Sequence, residues 1–131
     1  MRLQGTITVV GNAPVTQVLL RTTGGGSRSL TGAELPSLRR IAGLEVAVRG
    51  SSSAGGELVV RDFTVLSVDG QPAVDGVLEH EGSTLYLRTA DRRIPLGNPP
   101  DDLHNLVGAR VWLTGAPERG PHAFGIITPR R

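Results

Sequence analysis

The first third of the chain alternates between apolar and polar positions. Residues 3–10 and residues 15–22 each follow a period of two, which predicts two β-strands, with Val18 and Leu20 of the second strand pointing inward. A glycine-rich connection, GGGS, then leads into a short third strand that ends at Leu30. The pattern therefore predicts that the chain begins with three consecutive strands.

A helical period replaces the alternation after the third strand. Pro36 fits the first turn of a helical segment of about nine residues, and Leu38 and Ile41 fall on one face of that segment. Gly43 follows directly, where a residue with a left-handed backbone commonly ends a helix. One short helix is therefore expected between the third and fourth strands.

The same order of predicted elements occurs twice along the chain. A fourth strand with Val46 and Val48 inward and a fifth strand at about 58–68 complete the first set. The stretch LTGAELPSLRRIAGLEVAVRG, residues 30–50, then returns as LGNPPDDLHNLVGARVWLTG, residues 96–115. The second set of strands is predicted near 74–80, 83–90, 92–96, 109–115 and 122–128. An internal repeat with shorter loops in its second copy explains this pattern.

The repeated motif Leu-x-x-(Ile/Leu)-x-Gly-x-x-Val-x-(Val/Leu)-x-Gly covers residues 38–50 and 103–115. With three strands before the helix and two after it, each copy resembles the oligonucleotide/oligosaccharide-binding (OB) fold, a five-stranded Greek-key barrel. The resemblance implies an all-β protein with one short helix per repeat, built as two tandem OB-like barrels at 1–70 and 71–131. A pair of SH3-like barrels is the alternative. Small units bury little of their own surface, so we expect the two to pack together.

The charged residues are interspersed, apart from the pairs Arg39–Arg40, Arg92–Arg93 and Arg130–Arg131. All fourteen basic residues are arginine, and twelve acids bring the formal net charge to +2. Non-specific attraction to nucleic acid requires a concentrated basic patch, which this mixture does not provide. The chain has no cysteine, which excludes disulfides, thiolate metal sites and a cysteine nucleophile.

Nothing in the hydropathy pattern predicts insertion into a membrane. No apolar run approaches eighteen residues, and the N-terminal stretch alternates like a strand instead of forming the continuous apolar block of a signal peptide. The chain as written is therefore expected to be soluble and cytoplasmic. It would be extracytoplasmic if Met1 stands in place of a removed export signal.

Signatures of catalysis are weak. The chain has no G-x-S-x-G motif, and its glycine-rich TTGGGSRS segment lacks the lysine of a phosphate-binding loop. His80, His104 and His122 are not spaced as metal ligands on one element. We therefore expect no enzyme activity, no cofactor and no metal site, and a hydrolase is the least favoured alternative.

The alternation of side chains between the two sides of a strand, which we call strand parity, predicts a binding face in the second copy. If Leu85 and Leu87 point inward, Tyr86 and Arg88 point outward, and Arg93 points outward on the next strand. The resemblance implies that the outer surface of strands two and three is the ligand platform. Tyr86, Arg88 and Arg93 are the candidate ligand-binding residues, together with Arg21 at the equivalent position of the first copy.

Parity also predicts an apolar outer patch. Trp112, Val77 and Ile127 should face outward on three neighbouring strands of the second copy, and an exposed tryptophan beside aliphatic residues usually packs against something. The partner is expected to be the first copy, in preference to another protein. The equivalent residues of the first copy are Ala47, Thr6 and Leu66.

These features favour a non-catalytic binding module that recognises a protein or a small ligand. The alternative is weak binding of single-stranded nucleic acid by the second barrel. Base stacking contributes about 1 to 3 kcal/mol per aromatic residue, whereas micromolar affinity requires about 8 kcal/mol. A single tyrosine with a few screened arginines would therefore bind nucleic acid weakly.

Overall fold

The computed structural model describes residues 1–12 and 15–129. Within these residues the chain is mostly β and forms ten strands and two short helices, which confirms the predicted class. The strands are β1 (Arg2–Asn12), β2 (Val15–Thr22), β3 (Ser27–Thr31), β4 (Glu45–Ser52), β5 (Leu58–Val68), β6 (Gln71–Glu81), β7 (Thr84–Arg88), β8 (Arg93–Pro95), β9 (Arg110–Ala116) and β10 (Gly120–Thr128). The helices are α1 (Leu35–Arg40) and α2 (Asp101–His104). No helix among the described residues is long and apolar enough to cross a membrane.

The chain divides into two compact units, Met1–Leu66 and Ser67–Arg131. Strand β5 crosses this division and continues into a tight hairpin with β6, in which Val68 pairs with Gln71. Asp69 and Gly70 form the turn, and both have a positive φ. Such a turn matches the twist of the strands that it connects.

Within the first unit, every strand pairs with two other strands of that unit. Strand β1 pairs with β2 and with β4 in antiparallel fashion, and β2 pairs with β3. Strand β3 pairs in parallel with β5, which in turn pairs with β4. The order β1-β2-β3-β5-β4 therefore returns to β1.

The second unit repeats most of these pairings. Strand β6 pairs with β7 and β9, β7 pairs with β8, and β9 pairs with β10, all antiparallel. After β8, the backbone N–H of Gly97 donates a hydrogen bond of 3.0 Å to the carbonyl of Pro117, in the turn between β9 and β10. The end of β8 is thereby held near the turn that precedes β10.

Glycine allows the first two strands of each unit to cross closely. A Cβ added to Gly5 would lie 2.8 Å from the carbonyl carbon of Arg21, and one added to Gly76 would lie 2.7 Å from that of Arg88. Ordinary carbon–carbon contacts are about 3.5 to 4.0 Å. Any larger residue at these two positions would force the strands apart.

The inward-facing residues that alternation predicted form the cores. Val18, Leu20, Val46 and Val48 are buried in the first unit, and nine buried residues form the core of the second. These are Leu78, Leu85, Leu87, Ile94, Leu96, Leu103, Ala109, Val111 and Leu113. Their burial fixes which side chains of each strand remain on the outer surface.

Both helices are shorter than the predicted nine residues, with six in α1 and four in α2. The chain leaves the helix early because the backbone N–H of Gly43 donates to the carbonyl of Ile7, and that of Gly108 donates to the carbonyl of Leu78. Both glycines have a φ of +93°, which confirms the predicted left-handed stop at Gly43. Asp101 lies in the first turn of α2 and makes no side-chain cap.

Candidate functional site

The outer face of β6, β7 and β8 carries most of the predicted ligand-binding residues. Cross-strand pairing places Tyr86 between Glu79 and Pro95, and it places Arg88 between Val77 and Arg93. We call this surface the Tyr86 face. Its side chains are those of Val77, Glu79, Glu81, Thr84, Tyr86, Arg88, Arg93 and Pro95.

Arg93 covers the ring of Tyr86. The guanidinium carbon of Arg93 lies 3.9 Å from the centroid of the ring, which is close contact for a cation over an aromatic face. Arg93 lies diagonally across from Tyr86 on the neighbouring strand, so its side chain runs over the ring toward β6. This side of the ring is therefore occupied by the guanidinium group.

Two glutamates hold the arginines in place. Arg93 pairs with Glu79 at 3.5 Å and with Glu81 at 3.0 Å, and Arg88 donates a hydrogen bond to Glu79. Arg88 and Arg93 are directly opposite each other on adjacent strands, where like charges would otherwise repel. Glu79, on β6, contacts both guanidinium groups and has only 25% of its side chain exposed. The formal charges of these two arginines and two glutamates cancel.

This arrangement changes the chemistry expected of the face. The arginines that could hold a phosphate already share carboxylates, and the tyrosine that could stack on a base is covered on one side. What remains is a surface that carries positively charged hydrogen-bond donors and negatively charged acceptors. Val77 and Pro95 add exposed apolar contacts at its edges.

The structure brings Tyr86, Arg88 and Arg93 together, whereas Arg21 belongs to the other unit. Arg21 is exposed on β2, where it pairs in register with Thr6 and Ser27. The corresponding side chains of β2 are Gln17 and Leu19, so the first unit has no aromatic residue at the position of Tyr86.

The glutamates of the Tyr86 face were missed by sequence reasoning. The signal was present, because Glu79 and Glu81 have the same parity on β6 as Val77. Which arginines they would meet depends on the register between β6 and β7, and this register is a feature of the folded hairpin.

Trp112 lies on a different part of the second unit, in the middle of β9. It pairs in register with Asp75 on β6 and with Gly125 on β10. A Cβ added to Gly125 would lie 2.5 Å from the indole nitrogen of Trp112, so the indole rests directly on the glycine backbone. Trp112 is half-buried.

Polar residues interrupt the predicted apolar patch around Trp112. Asp75 accepts hydrogen bonds of 3.0 and 2.7 Å from Arg110, and the side chain of Asp75 is only 7% exposed. Arg110 pairs in register with Val77 and has the same parity as Trp112. This ion pair therefore lies among the residues that parity had grouped as apolar.

The members of the predicted patch also differ in exposure. Val77 is 38% exposed, whereas Ile127 is fully buried and contributes nothing to the exposed surface. Ile127 falls within a register shift of β10, between Ile126 and Thr128. In the first unit, Ala47 is buried, while Thr6 and Leu66 are half-buried.

The three histidines occupy two separate places. His80 and His104 line one cleft of the second unit, and His122 lies beside Gly115. In the part of the chain that the structure describes, no three histidine or acidic side chains are grouped as a metal ion would require.

An exposed ion pair of the first unit provides a useful comparison. Arg49 on β4 donates two hydrogen bonds of 2.7 Å to the carboxylate of Asp62 on β5. These hydrogen bonds and the charge of Asp62 raise the pKa of Arg49. The pair resembles those of the Tyr86 face in chemistry.

No model of a known protein family matches the chain, and no curated protein matches it in sequence.

Proposed function

We propose that this protein is a non-catalytic binding module made of two tandem OB-like barrels, which recognises a protein or a small ligand through the Tyr86 face. The proposal combines a fold assignment, a binding surface and a class of ligand. Each is supported by a different observation.

The strand pairings support the OB-like assignment. In the first unit, the order β1-β2-β3-β5-β4, with β3 and β5 parallel and a helix before β4, matches a closed five-stranded Greek-key barrel. Equivalent registers support a tandem repeat, since Gly5 pairs with Val46 and Gly76 pairs with Val111. Gly76 lies 71 positions after Gly5, and Val111 lies 65 positions after Val46, which are the offsets between the repeated sequence motifs.

The observation that carries the binding proposal is the placement of Arg93 over Tyr86 between Glu79 and Glu81. Planar tyrosine and arginine groups are enriched where proteins contact partners. A face whose charges cancel is suited to a partner that offers both donors and acceptors, such as a protein segment or a polar small molecule.

The same observation argues against single-stranded nucleic acid as the main ligand. A nucleic-acid groove follows the phosphate backbone with positive charge and exposes aromatic rings to successive bases. Here the second unit offers one tyrosine, which is partly covered, and its neighbouring arginines are paired with glutamates. Weak nucleic-acid binding remains the second candidate, supported only by the presence of Tyr86, Arg88 and Arg93 on one face.

Binding to arrays of three ligand classes tests the proposal. Peptides, glycans and single-stranded oligonucleotides would be probed with the intact protein and with a Tyr86→Ala/Arg93→Ala double variant. We expect peptide or glycan signals that the double variant loses. Arg49→Ala, which breaks an exposed arginine–aspartate pair elsewhere, should retain them.

Two results would overturn the proposal. One is binding that the double variant retains in full, which would assign recognition to another surface. The other is binding restricted to oligonucleotides. A Trp112→Ala variant tests the predicted apolar patch in the same binding assay and in a thermal melt. A lower melting temperature with retained binding would identify Trp112 as a packing residue.

A further inference from the structure

The second unit carries a cleft at the opposite face of the β6–β7 hairpin from the Tyr86 face. Its volume is about 370 Å³, which is near the lower end of the range for small-molecule sites, roughly 300 to 1,000 Å³. The cleft is lined by His80, Gly82, Ser83, Leu85, His104 and Val107.

Three segments bring polar groups to this cleft. His80 pairs in register with the buried Leu85, so it is on the same side of the sheet as Leu85, but it is exposed near the end of β6. Ser83 belongs to the turn that follows, next to Gly82 with its φ of +61°. His104 ends α2, which is anchored by the fully buried Leu103.

The lining combines hydrogen-bond donors with an aliphatic wall. Two imidazoles and one hydroxyl can donate, and Leu85 and Val107 supply the apolar surface. No carboxylate is among the lining residues. The nearest acids along β6, Glu79 and Glu81, have the opposite strand parity and pair with arginines on the Tyr86 face.

Metal binding fits this set poorly. Zinc sites use three or four protein ligands, and no group of three candidate ligands exists among the described residues. A ligand that accepts hydrogen bonds and carries an apolar body matches the cleft better.

The first unit shows that the repeat itself does not require histidine here. A smaller cleft of the first unit, about 170 Å³, shares only part of this lining, Thr16 and Val18 being the equivalents of Ser83 and Leu85. The residue equivalent to His80 is Val9, 71 positions earlier, and the residue equivalent to His104 is Arg39, 65 positions earlier. The paired imidazoles are thus particular to the second unit.

We infer that the cleft of the second unit binds a small monocarboxylate with a compact apolar body. The carboxylate accepts hydrogen bonds from His80, His104 and Ser83, and the apolar body lies against Leu85 and Val107. This site is separate from the Tyr86 face and does not depend on the function proposed for it. The ligand could be a free acid or the C-terminus of a peptide that ends in an aliphatic residue.

Proton NMR with the metal-free protein tests this inference, because the chain has only three histidines. Hexanoate represents a free acid and N-acetyl-leucine represents a peptide C-terminus. We expect saturable shifts of the His80 and His104 ring signals with one Kd, on the order of 1 mM for a ligand of this size. The His122 signals should not move, and hexanamide should bind about tenfold more weakly because it lacks the charge.

Variants separate this site from general effects of the added acid. His80→Val introduces the residue that the first unit has at this position, and it should weaken hexanoate binding about tenfold. His122→Ala should leave the Kd unchanged, and the Trp112 indole signal reports whether each variant is folded. If His80→Val does not fold, Ser83→Ala provides the same test with a smaller expected loss.

The two acids distinguish the source of the ligand. Tighter binding of N-acetyl-leucine than of hexanoate would indicate a peptide C-terminus, and the reverse order would indicate a free acid. The inference is wrong if neither acid shifts the His80 and His104 signals at concentrations well above 1 mM. It is also wrong if all three histidines shift alike, or if His80→Val binds as tightly as the unaltered protein.

Discussion

Replacing Gly76 with alanine tests how closely the first two strands of the second unit approach. The added Cβ would overlap the carbonyl group of Arg88 and lie 2.7 Å from its carbon atom, against about 3.5 Å for ordinary contact. Because this obstacle is backbone, no side-chain rotation relieves it. The strands must separate by close to 1 Å, which takes cross-strand N–H···O distances out of the range of about 2.7 to 3.2 Å.

Overpacking of a well-packed site usually costs about 1 to 3 kcal/mol. We expect Gly76→Ala to lie at the upper end, near 3 kcal/mol, even after alanine's smaller backbone entropy loss offsets about 0.5 to 1 kcal/mol. A domain of this size should then melt at least about 10 °C lower. Urea denaturation followed by the fluorescence of Trp112, the only tryptophan, measures the loss directly.

Gly24 supplies the matched control, because a Cβ added there meets no atom within 4 Å. Gly24→Ala should change the free energy of unfolding by less than about 0.5 kcal/mol. Gly5→Ala places a Cβ against the carbonyl group of Arg21, in the same way as Gly76→Ala does against that of Arg88. In a thermal melt, it should therefore be as destabilising as Gly76→Ala. A Gly76→Ala protein as stable as the Gly24→Ala protein would refute the close approach of β6 and β7.

Three further substitutions probe other local features. Gly125→Ala should push the Trp112 indole off β10, shift its emission and cost about 1 to 3 kcal/mol; unchanged emission would show that the ring does not rest on this glycine. Asp75→Ala removes a largely buried carboxylate from Arg110 and should cost about 3 kcal/mol in urea unfolding; a cost below 1 kcal/mol would mean that water replaces the carboxylate. Gly43→Ala places a Cβ at a φ of +93° and should cost about 1 to 2 kcal/mol, whereas a stabilised protein would contradict the left-handed stop.

The core could be predicted from sequence because alternation directly encodes which side of a strand is buried. The alternation predicts four inward residues that are 0 or 1% exposed in the structure: Leu85, Leu87, Val46 and Val48. The position of the left-handed stop at Gly43 was predictable for a similar reason, since few residues other than glycine adopt that conformation easily.

Helix length could not be predicted because it is set by contacts that are distant in sequence. The periodic positions Leu38 and Ile41 suggested a longer helix than the six residues observed. The hydrogen bond from Gly43 to Ile7 ends the helix, and local sequence carries no signal for that partner.

The outward-facing residues of the candidate site could be predicted from the same alternation, but their cross-strand contacts could not. Parity placed Tyr86, Arg88 and Arg93 on one face, as the structure has them. It places Glu79 on the same face but does not predict that Glu79 contacts both arginines, because cross-strand neighbours depend on register. Alternation assigns each residue only to one side of its strand. It therefore does not predict the ion pair between Asp75 and Arg110 beside Trp112.

The most direct test of the proposed function is fluorescence anisotropy of labelled single-stranded DNA and RNA at low and physiological salt. Because the charges of the Tyr86 face cancel, the account predicts no binding below tens of micromolar protein at physiological salt. A control titration would use the Tyr86→Ala/Arg88→Ala variant. Tight, strongly salt-dependent binding that this variant loses would contradict the account and establish the second unit as a nucleic-acid binder.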